Sequence, residues 1–330
     1  MRRREFIAGL GAAIWPLVSR AQPAERVRRI GVLMNLLEGD SEAQARLAAF
    51  REGLQALGWT EGRNARTDVR WAGSDYSGNA TRFAKELVEL RPDVILSTST
   101  TTTAALVEQT RTIPIIMASI SDPVGDGFVE NLPRPGGNVT GFLNLEASMS
   151  NKWLELLKEV APRVTHVAAV FNPTMAPGGG SYFLGPFMAA ARSLGVDAII
   201  AHIHDMSALE LAIAAQARTP YGGLIVMPDN FTSAHRVEVT SLAARYGLPA
   251  VYPFRPFTEV GGLLSYGNDQ RDNFRRAATY IDRILKGEKP GNLPVQAPVK
   301  FELVVNAKTA KTLGLELPPS FYWRADEVIE

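Results

Sequence analysis

Short aliphatic runs alternate with longer amphipathic segments along most of this chain, and this alternation limits the possible folds more than any other feature. Residues 29–34 form an aliphatic run of strand length, and residues 42–57 carry apolar side chains at helical spacing just before Gly58. Repeated strand–helix pairs favour parallel sheets that are covered by helices. The sequence therefore predicts an α/β protein.

The alternation occurs in two series, which predict two doubly wound parallel-sheet lobes joined by a multi-strand hinge. The predicted strands are residues 29–34, 65–71, 94–97, 115–118, 166–171, 197–203, 223–227, 250–252, 262–266 and 301–306, and the predicted helices are residues 42–57, 79–90, 102–110, 152–160, 183–194, 208–217, 233–246, 270–285 and 309–313. Between the series, residues 122–141 are rich in Gly and Pro but carry several apolar side chains, so we expect a packed crossover. The expected lobes are residues 27–143 with 268–296, and residues 144–267 with 297–330.

The first 21 residues have the pattern of an export signal. Residues 3–7, Arg-Arg-Glu-Phe-Ile, resemble twin-arginine leaders, and the apolar run 7–18 is shorter than the ~20 residues that span a bilayer. The small-x-small triplet 19–21 resembles a cleavage site, so the mature chain is expected to begin near Gln22 and to be soluble in the periplasm, without a membrane anchor. The alternatives are a chance basic N-terminus and a retained amphipathic anchor.

Composition narrows the function classes. The chain has no cysteine, which excludes disulfides, thiolate metal sites, a cysteine nucleophile and a lipoprotein anchor. Its net charge is +1, and the predicted leader holds four arginines against one glutamate, so the remainder is slightly acidic and gives no support for a nucleic-acid partner. No phosphate loop or nucleophile elbow occurs. We therefore expect neither an enzyme nor a bound cofactor or metal.

Five ordered segments resemble a known family. They are residues 122–141, 248–252, 261–267, 300–306 and 325–329. They are similar to segments of the ABC-transporter substrate-binding proteins of the tryptophan/tyrosine-permease type, and the resemblance covers nearly the whole mature chain. It implies a type I periplasmic-binding-protein fold, a monomer whose lobes close on a small ligand, and an ABC permease with its cytoplasmic ATPase as partner. It does not identify the ligand, although aromatic and branched amino acids are candidates.

Polar residues after the predicted strands indicate a ligand site, because ligands of open parallel sheets bind at the carboxyl ends of the strands. Residues 97–102, Ser-Thr-Ser-Thr-Thr-Thr, lead from a strand into a helix, where hydroxyls and backbone N–H groups can receive a carboxylate, as the resemblance to type I amino acid binders implies. The alternative is a simple helix cap. The predicted ligand-binding residues are Asn35, Ser97, Thr98, Ser99, Thr100, Ser119, Ser121, Asn172, Asp229, Tyr252, Phe254 and Tyr266.

Several of these predictions leave a structural alternative open. Asp229 can pair with the α-ammonium of an amino acid or cap the helix that follows it. Tyr252, Phe254 and Tyr266 can stack on a ligand or belong to the core. The function has an alternative as well, since a periplasmic sensor that presents its closed form to a signalling receptor would have the same sequence pattern.

Overall fold

The computed structural model describes residues 26–73 and 76–330, so the predicted leader lies outside the described residues. The elements of the first half are β1 (Arg28–Met34), α1 (Ser41–Ala56), β2 (Ala65–Trp71), α2 (Tyr76–Glu89), β3 (Val94–Ser97), α3 (Thr100–Gln109), β4 (Ile115–Ile120) and β5 (Val139–Leu143). Strands β1, β3 and β4 are aliphatic and buried along nearly their whole length. This is typical of parallel strands with helices on both faces.

The second half continues the alternation with shorter helices between its strands. Its elements are α4 (Met149–Val160), β6 (His166–Phe171), α5 (Ser181–Ser193), β7 (Asp197–His202), α6 (Met206–Ala217), β8 (Gly222–Val226), α7 (Asn230–Ala234), α8 (Arg236–Arg245), β9 (Ala250–Tyr252), α9 (Arg255–Glu259), β10 (Leu264–Asn268), α10 (Gln270–Leu285), β11 (Phe301–Asn306), α11 (Ala307–Thr312), α12 (Pro319–Arg324) and β12 (Glu327–Ile329). Within the two described ranges, no helix has the length and apolar character needed to cross a membrane.

The strands form two separate sheets. The first has the order β2-β1-β3-β4-β5 and is parallel throughout, and the second has the order β12-β11-β10-β9-β8-β6-β7. The predicted α/β class with two sheets is confirmed, but β10 and β11 are antiparallel. The reason is that the chain leaves the second sheet after Asn268 and returns beside that residue at Phe301.

Helix α10 follows a strand of the second sheet but packs on the helices of the first. Phe274 of α10 shares a buried core with Leu47 and Phe50 of α1. The two helices approach closely at Gly53, where a Cβ would lie 2.7 Å from the carbonyl oxygen of Arg275. We define lobe 1 as the first sheet with α1, α2, α3 and α10, and lobe 2 as the second sheet with the remaining helices. Along the described chain, the backbone therefore crosses between the lobes after β5, after β10 and before β11.

Some element bounds differ from the prediction for identifiable reasons. Residues 122–141 include the start of β5, because Gly141 is a strand residue whose Cβ would collide with the backbone of Met117. The single helix predicted over 233–246 is wrong, since His235, with φ −102° and ψ 28°, separates α7 from α8. The prediction also missed α9, α12 and β12, which have only five, six and three residues and are too short to show periodicity.

Candidate functional site

A cavity lies between the two lobes, next to the carboxyl ends of several strands. Lobe 1 contributes Asn35, Arg46, Thr98, Ser99, Thr100, Ser119 and Ser121, lobe 2 contributes Met175, Pro177, Pro228, Asp229, Asn230, Ser233 and Phe254, and the crossings contribute Asn144 and Gln270. Most of these side chains are polar, and apolar groups come mainly from lobe 2. A ligand in this cavity would contact both lobes at once.

Eight of the twelve predicted site residues line this cavity, and four do not. The eight are Asn35, Thr98, Ser99, Thr100, Ser119, Ser121, Asp229 and Phe254. The four outside the lining are Ser97, Asn172, Tyr252 and Tyr266. Topology therefore brought these eight residues to one cavity, but it did not determine which side chain at each strand end faces that cavity.

The hydroxyls of residues 97–102 hold the turn between β3 and α3 together. The Oγ of Ser97 lies 2.8 Å from Thr102 Oγ1 and is fully buried. Ser99 is the N-cap of α3, because Thr102 N donates to Ser99 Oγ at 3.3 Å while Ser99 N donates to Thr102 Oγ1 at 2.9 Å. This is a capping box. Ser99 therefore acts as a helix cap, which was the alternative to ligand binding, although its side chain also borders the cavity.

Thr98 connects the same turn to the neighbouring strand. Its Oγ1 accepts a hydrogen bond from Asn35 N at 3.0 Å and lies 2.9 Å from Asn35 Oδ1. Asn35 is thereby fixed at the end of β1, with its amide directed across the cavity toward lobe 2. Thr98 therefore serves mainly to position Asn35 at the cavity wall.

Ser119 and Ser121 differ from the hydroxyls of that turn. Both border the cavity at the end of β4 and are only 8% and 3% exposed. Within residues 26–73 and 76–330, neither side chain has a hydrogen-bond partner. Neither hydroxyl oxygen is among the fully buried polar atoms without a partner in these ranges, so both are open to the cavity and available to a ligand.

Asp229 is both a helix cap and part of the cavity wall. Its Oδ1 accepts from Thr232 N at 2.7 Å, which caps α7, and its Oδ2 accepts from Asn172 N at 3.1 Å. Burial raises the pKa of Asp229 to about 7, although these hydrogen bonds act in the opposite direction. The cap alternative is therefore realised, and the carboxyl group remains beside the cavity, where it can accept a proton or a hydrogen bond.

The aromatic candidates separate into one cavity residue and two packing residues. Phe254 borders the cavity. Tyr252 is 1% exposed and stacks on Phe257, with ring centroids 5.2 Å apart, and Tyr266 stacks on Phe301 at 6.1 Å. Asn172 likewise serves the backbone, since its Oδ1 accepts from Thr174 N at 3.0 Å.

Arg46, Asn144 and Gln270 are polar lining residues that the sequence prediction missed. Arg46 falls among the apolar positions of α1, three residues after Ala43 and four before Phe50, and all three are buried. A charged residue on the apolar face of a helix is unusual, and this position of Arg46 was the sequence signal that could have indicated a functional role. Asn144 and Gln270 lie at crossings between the lobes, where no periodic pattern marks them. Elsewhere in the described ranges, no group of three or more His, Asp or Glu side chains is arranged to hold a metal ion.

Direct contacts join the lobes at the edge of the cavity, and we call them the interlobe latch. Asn35 Nδ2 donates to Asn230 Oδ1 at 2.8 Å, and Asn230 Nδ2 donates to Thr101 Oγ1 at 2.9 Å. Arg236 Nη1 donates to Asp40 Oδ2 at 2.7 Å. Burial acts to raise the pKa of Asp40, but the hydrogen bond and charge of Arg236 outweigh it, so this pKa lies below its ordinary value. The structure is thus a closed form.

Comparison with known proteins agrees with this architecture. The family described as ABC transporter substrate binding protein matches residues 29–329. The chain belongs to this family. Members of the family bind a substrate and are not enzymes, and the expected type I periplasmic-binding-protein fold is confirmed.

Relatives of the family extend over nearly the whole chain. A tyrosine-binding protein of Clostridioides difficile (strain R20291) is 25% identical over 296 residues, which cover 89% of this chain and 83% of that protein. A conserved domain protein from Vibrio cholerae has a TM-score of 0.85 at 28% identity, covering 92% of this chain and all 100% of that one. An ABC domain in complex with L-Trp from Streptococcus pneumoniae has a TM-score of 0.84 at 26% identity, covering 92% of this chain and 99% of that one.

Proposed function

We propose that this chain is the periplasmic substrate-binding component of an ABC importer, and that it delivers a small carboxylate-bearing ligand to a membrane permease driven by a cytoplasmic ATPase. One observation carries the proposal: the cavity is walled by polar side chains of both lobes, at the edge where the lobes touch. A ligand that contacts both lobes binds the closed form better than the open form. Binding therefore produces the closed shape that a permease can recognise.

The proposed ligand is an aromatic or branched amino acid. The unpaired hydroxyls of Ser119 and Ser121 and the carboxyl group of Asp229 offer partners to its polar end, while Phe254 and Met175 offer an apolar surface to its side chain. The relatives named for tyrosine and L-Trp support the same class.

Export and subunit state are part of the proposal. We infer that residues 1–21 are removed during twin-arginine export and that a soluble monomer acts in the periplasm. Replacing Arg3 and Arg4 by lysine should retain the protein in the cytoplasmic fraction, with the unaltered chain as control. Equal periplasmic amounts of both proteins would contradict this route.

The decisive experiment is identification of the bound compound. Native mass spectrometry of the protein purified from periplasm should show a copurified small molecule, and calorimetry with L-tryptophan, L-tyrosine, L-phenylalanine, L-leucine and L-valine should show saturable binding of at least one. Uptake of that amino acid by proteoliposomes that contain the permease and ATPase should then require this protein. Chemical conversion of the bound compound, or absence of binding across the panel, would refute the proposal.

A further inference from the structure

Arg46 is a buried cation beside the cavity. It lies on the apolar face of α1, its side chain is 8% exposed, and it borders the cavity with Ser119 and Ser121. Arginine is rarely buried unless an anion accompanies it. The identity of that anion determines what the residue can do.

Glu42 is the only acidic partner of Arg46 in the described chain, and it is shared with a second arginine. Arg46 Nε donates to Glu42 Oε1 at 3.0 Å, and Arg271 Nη2 donates to Glu42 Oε2 at 2.7 Å. Burial acts to raise the pKa of Glu42, but the charge of Arg46 and the hydrogen bond from Arg271 outweigh it, so this pKa lies below its ordinary value. Two guanidinium groups therefore share the carboxylate of Glu42, and the charge of Glu259 acts on Arg271 as well.

Arg46 depends on this shared carboxylate more than Arg271 does, because the side chain of Arg46 is 8% exposed and that of Arg271 is 44% exposed. Nε of Arg46 is engaged by Glu42. Within residues 26–73 and 76–330, its two terminal nitrogens donate no hydrogen bond to any protein group. Two parallel N–H groups of a guanidinium match the two oxygens of a carboxylate.

The other polar groups of the cavity complement this arrangement. Asp229 forms no ion pair with Arg46, so the acidic and basic groups of the lining are separate. Gln270, which is 8% exposed, has a buried Oε1 without a hydrogen-bond partner. The cavity thus presents a cation with free donors, and apart from it an acid and an unsatisfied acceptor.

We propose, on the basis of the function proposed above, that the terminal nitrogens of Arg46 bind the carboxylate of the ligand, and that Glu42 and Arg271 are positioning residues that fix the guanidinium. The ligand carboxylate is then bound mainly by the Arg46 side chain of α1, and the turn that follows β3 forms part of the cavity wall. The ligand must carry an anionic group, and neutral amides or amines of the same shape are rejected because they leave the terminal N–H groups of Arg46 without an anionic acceptor.

The test is a binding cycle with two probes and two proteins. L-tryptophan and L-tryptophanamide, in which a neutral amide replaces the carboxylate, are titrated by calorimetry into the wild type and Arg46→Gln. In the wild type, L-tryptophan should bind roughly 10- to 150-fold more tightly than the amide, and this ratio should fall to nearly one in Arg46→Gln. A merely structural role for Arg46 would weaken both probes equally and leave the ratio unchanged.

Matched variants separate recognition from folding. Arg51→Gln removes an exposed arginine of the same helix and should leave both affinities unchanged, while Arg46→Lys should restore part of the ratio because it keeps the charge without the planar fork. If Arg46→Gln does not fold, Arg46→Lys is measured in its place and should reduce the ratio relative to the wild type.

The outcomes distinguish the two proposals. An unchanged ratio in a folded Arg46 variant overturns the role of Arg46 and leaves the transport function intact. If the wild type binds neither L-tryptophan nor L-tyrosine, nor any other amino acid of the panel, the proposed function fails and this inference fails with it.

Discussion

Replacing Arg236 with glutamine should shift the ligand-free protein toward an open form. The substitution removes two hydrogen bonds across the latch, of 2.7 and 3.2 Å, to the carboxylate of Asp40. The two side chains are only 12% and 14% exposed. Exposed ion pairs contribute ~0.2–1 kcal/mol and hydrogen bonds to charged groups ~1.5–3 kcal/mol, so this half-buried pair should contribute about 1–2 kcal/mol. The ratio of closed to open protein should therefore fall roughly 5- to 30-fold.

Double electron–electron resonance can measure that ratio directly. Because the chain has no cysteine, spin labels can be attached to cysteines introduced at the exposed positions Gln55 of lobe 1 and Ser241 of lobe 2. Arg236→Gln should add a longer distance, and Asp40→Asn should do the same, since asparagine still caps α1. Arg245→Gln is the matched control on the same helix, because its ion pair lies within lobe 2. Identical distance distributions for Arg236→Gln and the wild type would refute the reasoning.

Three further predictions concern stability and the apolar wall. Burial raises the pKa of Asp229 from 3.8 to about 7, so the stability that the protonated carboxyl group contributes is full below about pH 4 and is lost as the pH rises through 7. The free energy of unfolding of Asp229→Asn, measured with urea, should therefore rise by up to about 4 kcal/mol relative to that of the wild type between pH 4 and 8. Parallel curves of unfolding free energy against pH for the two proteins would contradict this. Gly53→Ala should destabilise the protein by ~1–3 kcal/mol, because the added Cβ overlaps the backbone of α10; an unchanged midpoint of thermal unfolding would show that the helices can separate. Phe254→Ala should weaken the binding of L-tryptophan by roughly 10-fold or more in calorimetry, through loss of buried apolar contact, and an affinity within about 2-fold of the wild type would remove Phe254 from the site.

Most of the fold could be predicted from the sequence because the central strands are buried on both faces. Such strands, as in residues 94–97 and 115–120, consist almost entirely of apolar side chains and stand out between amphipathic helices. Strand β5 lacked this signal, since Gly141 resembles a turn residue until Met117 is seen packed against it. The antiparallel direction of β11 could not be predicted for a different reason. The direction of a strand depends on where the chain crosses between the lobes, and no local sequence pattern indicates these crossings.

The gathering of strand-end residues around one cavity was predictable from the sequence, but the direction of each side chain was not. Strand ends brought Ser99 and Ser119 to the cavity, yet Ser97, two residues from Ser99, is fully buried and its Oγ lies 2.8 Å from Thr102 Oγ1. Alternation along the strand would put both serines on one face, but β3 ends at Ser97 and Ser99 already caps α3, and the exact end of a strand is the least certain part of a prediction. Arg46 was missed because the prediction rested on strand ends, whereas this residue reaches the cavity from the side of a helix.

The latch and Arg46 should affect binding in separable ways. The latch joins protein to protein, so it lowers the free energy of the closed form by the same amount for every ligand, and the ligand then has to supply less differential affinity to close the lobes. Arg236→Gln should accordingly weaken L-tryptophan and L-tryptophanamide by the same factor. Arg46 acts on the ligand itself, so its replacement should weaken only the probe that carries a carboxylate. A change in the ratio of the two affinities in Arg236→Gln would mean that closure and recognition are one event in this protein, because the geometry of the carboxylate site would then depend on the latch.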